Sequence, residues 1–416
     1  MTNYHRFPLK NGLRVIFHRD ETTPIAVVNT LYNVGARDES PSMTGLAHFF
    51  EHLMFSGSKN VENFDRALQK VGGQSNAFTS NDITNYYIQL PKNQIETALW
   101  VESDRMTQLI LSDKNLETQR KVVIEEFKQR YLNQPYGDTW MELRPLAFKE
   151  HPYQWATIGK NVEHIEKVTM DDAMTFYRKH YHPRNAILSI AGNFEIDEVQ
   201  NLVESWFGEL QTSDLQAKNI PSEPIQLEYR KKIITRNVPA CAFYFAFKMQ
   251  DRMSKQYPIA DLITDILGRG KSSLLYQRYF DDLHWVSEIS SYILGSIDDG
   301  LLIISGKMHD ASMIDGLEQD LWNFLEHFKM QHIQNKELEK VRNKFLTGKL
   351  FEELSLQSRA MNLAYFELLG NIDLINTETE LYLQVDEEDI KRVAQEILQQ
   401  ERCTCLIIQP ISHDKK

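Results

Sequence analysis

Pro24-Ile25-Ala26-Val27-Val28 has a counterpart in Pro239-Ala240-Cys241-Ala242-Phe243, 215 residues further along the chain. A second pair, Val168-Thr169-Met170-Asp171-Asp172 and Val385-Asp386-Glu387-Glu388-Asp389, is offset by 217 residues. Two aligned pairs at nearly one offset indicate a duplicated unit. In each copy the second pair leads into a helix and then a closing apolar strand, at 185–191 and 402–408. The polar stretch 211–224 reads as the linker, so the chain divides into domains 1–220 and 221–416.

Within the first copy, strand and helix patterns alternate. Segments 13–17, 25–32, 74–79 and 84–90 read as strands, the third opening after Gly72-Gly73. Segments 63–71, 94–109, 116–132 and 171–181 read as helices. Layers of both kinds predict an α+β fold. At 416 residues the chain exceeds what one hydrophobic core organises, which agrees with two domains.

Composition narrows the class. Hydrophobic residues make up 42% and charged residues 25%, as in ordinary globular proteins. A formal net charge of −12 argues against general nucleic-acid binding. No apolar run reaches the roughly 18 residues needed to span a bilayer. The first 17 residues, MTNYHRFPLKNGLRVIF, hold no apolar signal region, so a cytoplasmic protein is expected. Cys241, Cys403 and Cys405 have apolar neighbours and read as buried thiols.

The chemistry lies in His48-Phe49-Phe50-Glu51-His52. Two imidazoles four residues apart share one helix face and can hold a single metal ion. Glu51, beside the second histidine, can act on a water at that metal. This is the inverted zinc-hydrolase arrangement, H-x-x-E-H. Without a metal or partner, an acid in so apolar a helix would be costly to bury. A hydrolytic zinc takes three protein ligands and leaves one position open. The third is expected in Val122-Val123-Ile124-Glu125-Glu126, where periodicity does not choose between the two glutamates.

These residues resemble the M16 family of zinc peptidases (inverzincins), which includes the mitochondrial processing peptidase, insulysin and pitrilysin. His48-x-x-Glu51-His52 matches the family motif, and Val122 to Glu126 matches its third-ligand segment, which selects Glu126. Gly72-Gly73-x-x-Asn76-Ala77-Phe78-Thr79 with Thr84 and Tyr86 matches another signature, and Tyr181-His182-Pro183-Arg184-Asn185-Ala186 with Gly192 resembles the end of the first domain. The resemblance implies two homologous domains, each a mainly antiparallel sheet packed with helices, together forming half of a clamshell. It implies one Zn2+ per chain, and a peptide substrate added as a strand along 74–79 with Asn76, Ala77 and Phe78 as binding residues. Zinc on His48, His52 and Glu126 would polarise the scissile carbonyl, with Glu51 as general base and then acid.

Two departures qualify that picture. Where some members place a second glutamate, seven residues before the third ligand, this chain has Gln119. Where catalytic members carry an arginine and a tyrosine seven residues apart in the second half, it has Phe280 and Ser287; shifting the register to Arg278 puts Trp285 at the other position. The expectation is therefore a zinc metalloendopeptidase that is the zinc-bearing subunit of a two-chain enzyme. Its partner would be an M16 homologue supplying the missing pair in a heterodimer, or a second copy in a homodimer. The competing reading is a noncatalytic M16-like scaffold or peptide-binding subunit, which need not retain stoichiometric zinc.

Overall fold

In the first half, near-continuous apolar runs become central strands covered on both faces, while the strand beginning after Gly72-Gly73 is left at an edge. The computed structural model describes residues 1–215 and 217–411; Gln216, within the linker stretch, and residues 412–416 lie outside it. The described chain forms two units.

The first unit holds a six-stranded sheet of β1 (His5–Pro8), β2 (Arg14–Arg19), β3 (Ile25–Tyr32), β4 (Gln74–Thr79), β5 (Thr84–Pro91) and β6 (Ala186–Gly192), in the order β1-β2-β6-β3-β5-β4. The strands β2 and β6 pair in parallel, and every other neighbouring pair is antiparallel. The second unit holds β7 (Arg230–Arg236), β8 (Ala242–Met249), β9 (Val286–Leu294), β10 (Gly300–Met308) and β11 (Cys403–Pro410), in the order β7-β11-β8-β10-β9. Here too the pair β7 and β11 is parallel and the rest antiparallel. Setting β1 aside, one sheet maps onto the other strand for strand.

The two sequence pairs land on equivalent places. Residues 25–28 lie in β3 and 242–243 in β8, each the middle strand of its five-stranded core. Thr169 and Asp172 form a capping box at the start of Met170–His180, and Asp386 and Asp389 form one at the start of Glu387–Ile397. The duplication thus preserves a helix-start device as well as the strand order.

Two segments are exchanged across the 1–220/221–416 division expected from sequence. The first unit comprises Met1–Lys128, Trp155–Pro221 and Leu350–Thr377; the second takes Gln129–Gln154 with Ser222–Lys349 and the chain from Glu378 onward. Helix Leu356–Leu368 packs on β2, β3 and β6, where Leu363 and Ala364 are buried with Ile16, Leu31 and Ile187. Helix Thr139–Ala147 packs on β7 and β11, where Leu143 and Ala147 are buried with Ala242, Ala246 and Leu406. On β8 the alternate residues Phe243, Phe245 and Phe247 face a separate, larger core. Apolar periodicity marks a helix's buried face but not which sheet it covers, so the exchange left no trace in the sequence pattern.

All three cysteines are free and buried. Among the described residues, no helix is long and apolar enough to cross a membrane.

Candidate metal and active site

The motif residues fall on helix Leu46–Leu53, as the four-residue histidine spacing predicts. Its apolar side, Phe49, Phe50 and Leu53, is buried, and Phe50 sits in an aromatic cluster with Phe176, Tyr177 and Tyr181. That anchorage turns the opposite face, His48 and His52, toward partly open space, with side chains 13% and 24% exposed.

An unanticipated residue fixes the start of this helix. The Glu39 carboxylate, itself buried, accepts the Gly45 amide hydrogen at 2.8 Å and that of Ala47 at 2.8 Å. It thereby satisfies two of the four amides a helix start leaves open, while burial pushes its own carboxyl up to about 8. Gly45 takes φ of 90°, and a Cβ there would stand 2.4 Å from the Ile158 carbonyl oxygen, so only glycine fits. No standard capping spacing announces Glu39, because it reaches back from a preceding loop.

The third donor comes from helix Asp113–Phe127. This helix is capped by Ser112, whose side chain accepts from the Asn115 amide, and Arg120 anchors it by donating to the carbonyls of Ile165, Glu166 and Val168. Val123 and Phe127 bury its inner face, which leaves Glu125 exposed and Glu126 half-buried beside the motif. Glu126 Oε2 lies 3.3 Å from His52 Nε2 and 3.8 Å from His48 Nε2. One ligand atom from each of the three residues falls within 4.8 Å of the others. Around a tetrahedral zinc with bonds of about 2.0–2.2 Å, neighbouring donors stand roughly 3.3–3.5 Å apart. Two imidazoles and a carboxylate at these separations fit such an ion with small side-chain adjustments. Gln119, two helical turns before Glu126, is half-buried.

Glu51 lies on the same helix. Its Oε2 accepts a hydrogen bond from the Thr79 hydroxyl at 2.7 Å. Burial raises the Glu51 carboxyl above its ordinary value; the Thr79 hydroxyl and His52 oppose that, and Glu126 adds to it.

Thr79 ends β4, the outermost strand of the sheet, whose other side carries no strand among the described residues. Asn76 and Phe78 are exposed on β4, and Ala77 between them is half-buried. The Ala77 amide donates to the Asn76 side chain at 2.9 Å, so one edge amide is satisfied by its neighbour's carboxamide. A cavity of about 560 Å³ opens at the beginning of this strand, lined by Asp65, Gln69, Gly72, Gly73 and Ser75 among others.

The second unit shows what the duplicated position has become. Helix Tyr257–Gly268 follows β8 and packs against the edge strand β9, as the motif helix follows β3 and packs against β4. On it, Asp261 and Asp265 repeat the four-residue spacing of the histidines, but cations close the site. Arg269 stands 3.2 Å from Asp265 and 3.7 Å from Asp261, and Lys344 stands 3.2 Å from Asp265. Arg278 pairs with Asp320, which also accepts from the Tyr279 hydroxyl at 2.7 Å. Phe280 stacks on Tyr276 with ring centres 4.5 Å apart, and Ser287 is exposed on β9.

A duplicated α/β fold in which one copy carries an H-x-x-E-H helix facing a glutamate defines the class of inverted-motif metallopeptidases. Residues 14–151 match the family model described as insulinase (peptidase family M16), and residues 167–345 match the one described as peptidase M16 inactive domain. The chain belongs to the M16 peptidase family. It is 28% identical over 408 residues to the zinc protease PqqE of Helicobacter pylori, covering 97% of this chain and 92% of that protein. It is 31% identical over 208 residues to the probable mitochondrial-processing peptidase subunit beta of Schizosaccharomyces pombe, covering 49% of this chain and 45% of that one. Among solved structures, a protease from Helicobacter pylori superposes with a TM-score of 0.93 at 27% identity, covering 99% of this chain and all of that one.

Proposed function

We propose that this protein is a zinc-dependent endopeptidase acting on peptides or unfolded segments, with zinc held by His48, His52 and Glu126. The reading rests on one observation. Three donor atoms of the right chemistry converge within 4.8 Å, next to a carboxylate held at the end of a free strand edge. When bound, zinc supplies Lewis-acid polarisation of the carbonyl and of the attacking water. The rest falls to the protein. An extended peptide pairs with β4 along Asn76, Ala77 and Phe78, displacing the Asn76 side chain from the Ala77 amide. Glu51 takes the water's proton on its carboxylate and hands it to the departing amine.

We further propose that residues 221–416 do not complete the substrate site and that a second chain, an M16 homologue of different sequence, brings the arginine and tyrosine. Arg278, the arginine of the expected stretch, is already engaged with Asp320. The decisive experiment is Glu51→Gln, assayed for metal content and for cleavage of a fluorogenic peptide library, alone and with the partner. Retention of one zinc per chain with turnover lost by about 1,000-fold or more supports the reading. Unchanged turnover, or a wild-type chain that takes up no zinc, sinks it in favour of a scaffold.

A further inference from the structure

We propose, building on the peptidase reading above, that Thr79 is a positioning residue that registers a docked peptide against the general base. Thr79 has three ties. Its hydroxyl donates to Glu51 Oε2 at 2.7 Å, its backbone amide also bonds that carboxylate, and it is partnered with Thr84 as the last rung of the β4 and β5 ladder. Immediately beyond it the chain turns, the Ser80 amide donating to the Ile83 carbonyl. The free edge of β4 therefore ends at the residue that holds the base.

Two consequences follow from this geometry. A carboxylate with one oxygen held by a hydroxyl keeps the other free to take a proton, so Glu51 is restricted to one orientation instead of sweeping several rotamers. A peptide added along β4 cannot extend its pairing past Thr79, so the peptide bond that reaches Glu51 is set by the ladder's end. The strand spans six residues, about 20 Å at roughly 3.3 Å each, and this length of peptide would be read in extended form on one side of the cut. Registration is thus made by main-chain pairing and needs no particular side chain at the cleavage point.

The test compares Thr79→Val, which keeps shape and strand preference but lacks the hydroxyl, with Thr79→Ser, which restores it. Four quantities are measured: zinc per chain, affinity for a non-cleavable peptide, single-turnover cleavage at saturating peptide, and the Glu51 conformer in zinc-free crystals. The expected result is unchanged zinc and peptide affinity for Thr79→Val, with cleavage slower by about 10–100-fold. Glu51, left with the Thr79 amide alone, should spread over more than one conformer in the Thr79→Val crystal, and Thr79→Ser should return both rate and conformer. A Thr79→Val rate within about twofold of wild type, or an unmoved Glu51, overturns the positioning role while leaving the peptidase reading standing. A zinc-loaded wild type that cleaves nothing with or without its partner removes both.

Discussion

Glu39 Oε2 accepts the Gly45 amide hydrogen across 2.8 Å, and through it the preceding loop holds the first turn of the helix that carries His48 and His52. Replacing Glu39 by alanine leaves two buried amides without an acceptor, at a cost of about 3 kcal/mol. Thermal unfolding should show a lower first transition, and zinc affinity measured by competition with a chelator should fall by roughly tenfold or more. Glu39→Gln keeps one acceptor and should lie between the two.

Glu126 and Glu125 are neighbours in sequence with opposite expected behaviour. Glu126→Ala removes a donor 3.3 Å from His52, and zinc affinity should drop by roughly 100-fold or more in calorimetric titration. Glu125 is exposed, and Glu125→Ala should bind zinc as the parent does. Equal losses in both would contradict the assignment.

His180 provides a pH signature for the first unit. Burial, with help from Lys179 and Lys218, pushes its imidazole down to about 3. The unfolded chain, titrating near 6.5, then binds more protons than the folded one between those values. Stability is therefore full above about pH 6.5 and is lost as pH falls, by roughly 2 kcal/mol at pH 5. Urea unfolding of His180→Gln should show a shallower decline from pH 7 to pH 5 than wild type. Parallel curves would show that His180 does not titrate in this way.

The exchanged helices can be told apart by where their damage appears. Leu363→Ala and Leu143→Ala each empty a fully buried position and should cost about 2–5 kcal/mol. Hydrogen exchange should report the first as faster opening of β3 and β6, and the second as faster opening of β7 and β11. Loss of protection in the opposite sheet would contradict the exchange.

Much of this was readable in the residues. The bounds of β3 and β4 follow from Pro24 and Gly72-Gly73, which punctuate the strands they precede, and the histidine spacing placed the motif on one helix face. The strand order of the second unit follows the duplication, although the shared residues are few. Glu126 was separable from Glu125 only by resemblance, because choosing between adjacent helix positions needs the packing of Val123 and Phe127. Glu39 and Thr79 carry no spacing signal, since each reaches the motif helix from another element. Nor could the pattern show that Asp261 and Asp265 are neutralised by Arg269 and Lys344, the latter from a distant helix.

The exchange of helices also sets a timetable. Both faces of the first sheet are covered only once Leu350–Thr377 is in place, so the unit that bears His48 and Glu126 stays incomplete until residue 377 has left the ribosome. At about 5–20 residues per second, the strands made first wait roughly ten seconds or more with one apolar face open. A gene cut near residue 221 would therefore yield two fragments, each missing a helix that the other carries. Coexpression of the fragments, and not either one alone, should recover soluble protein.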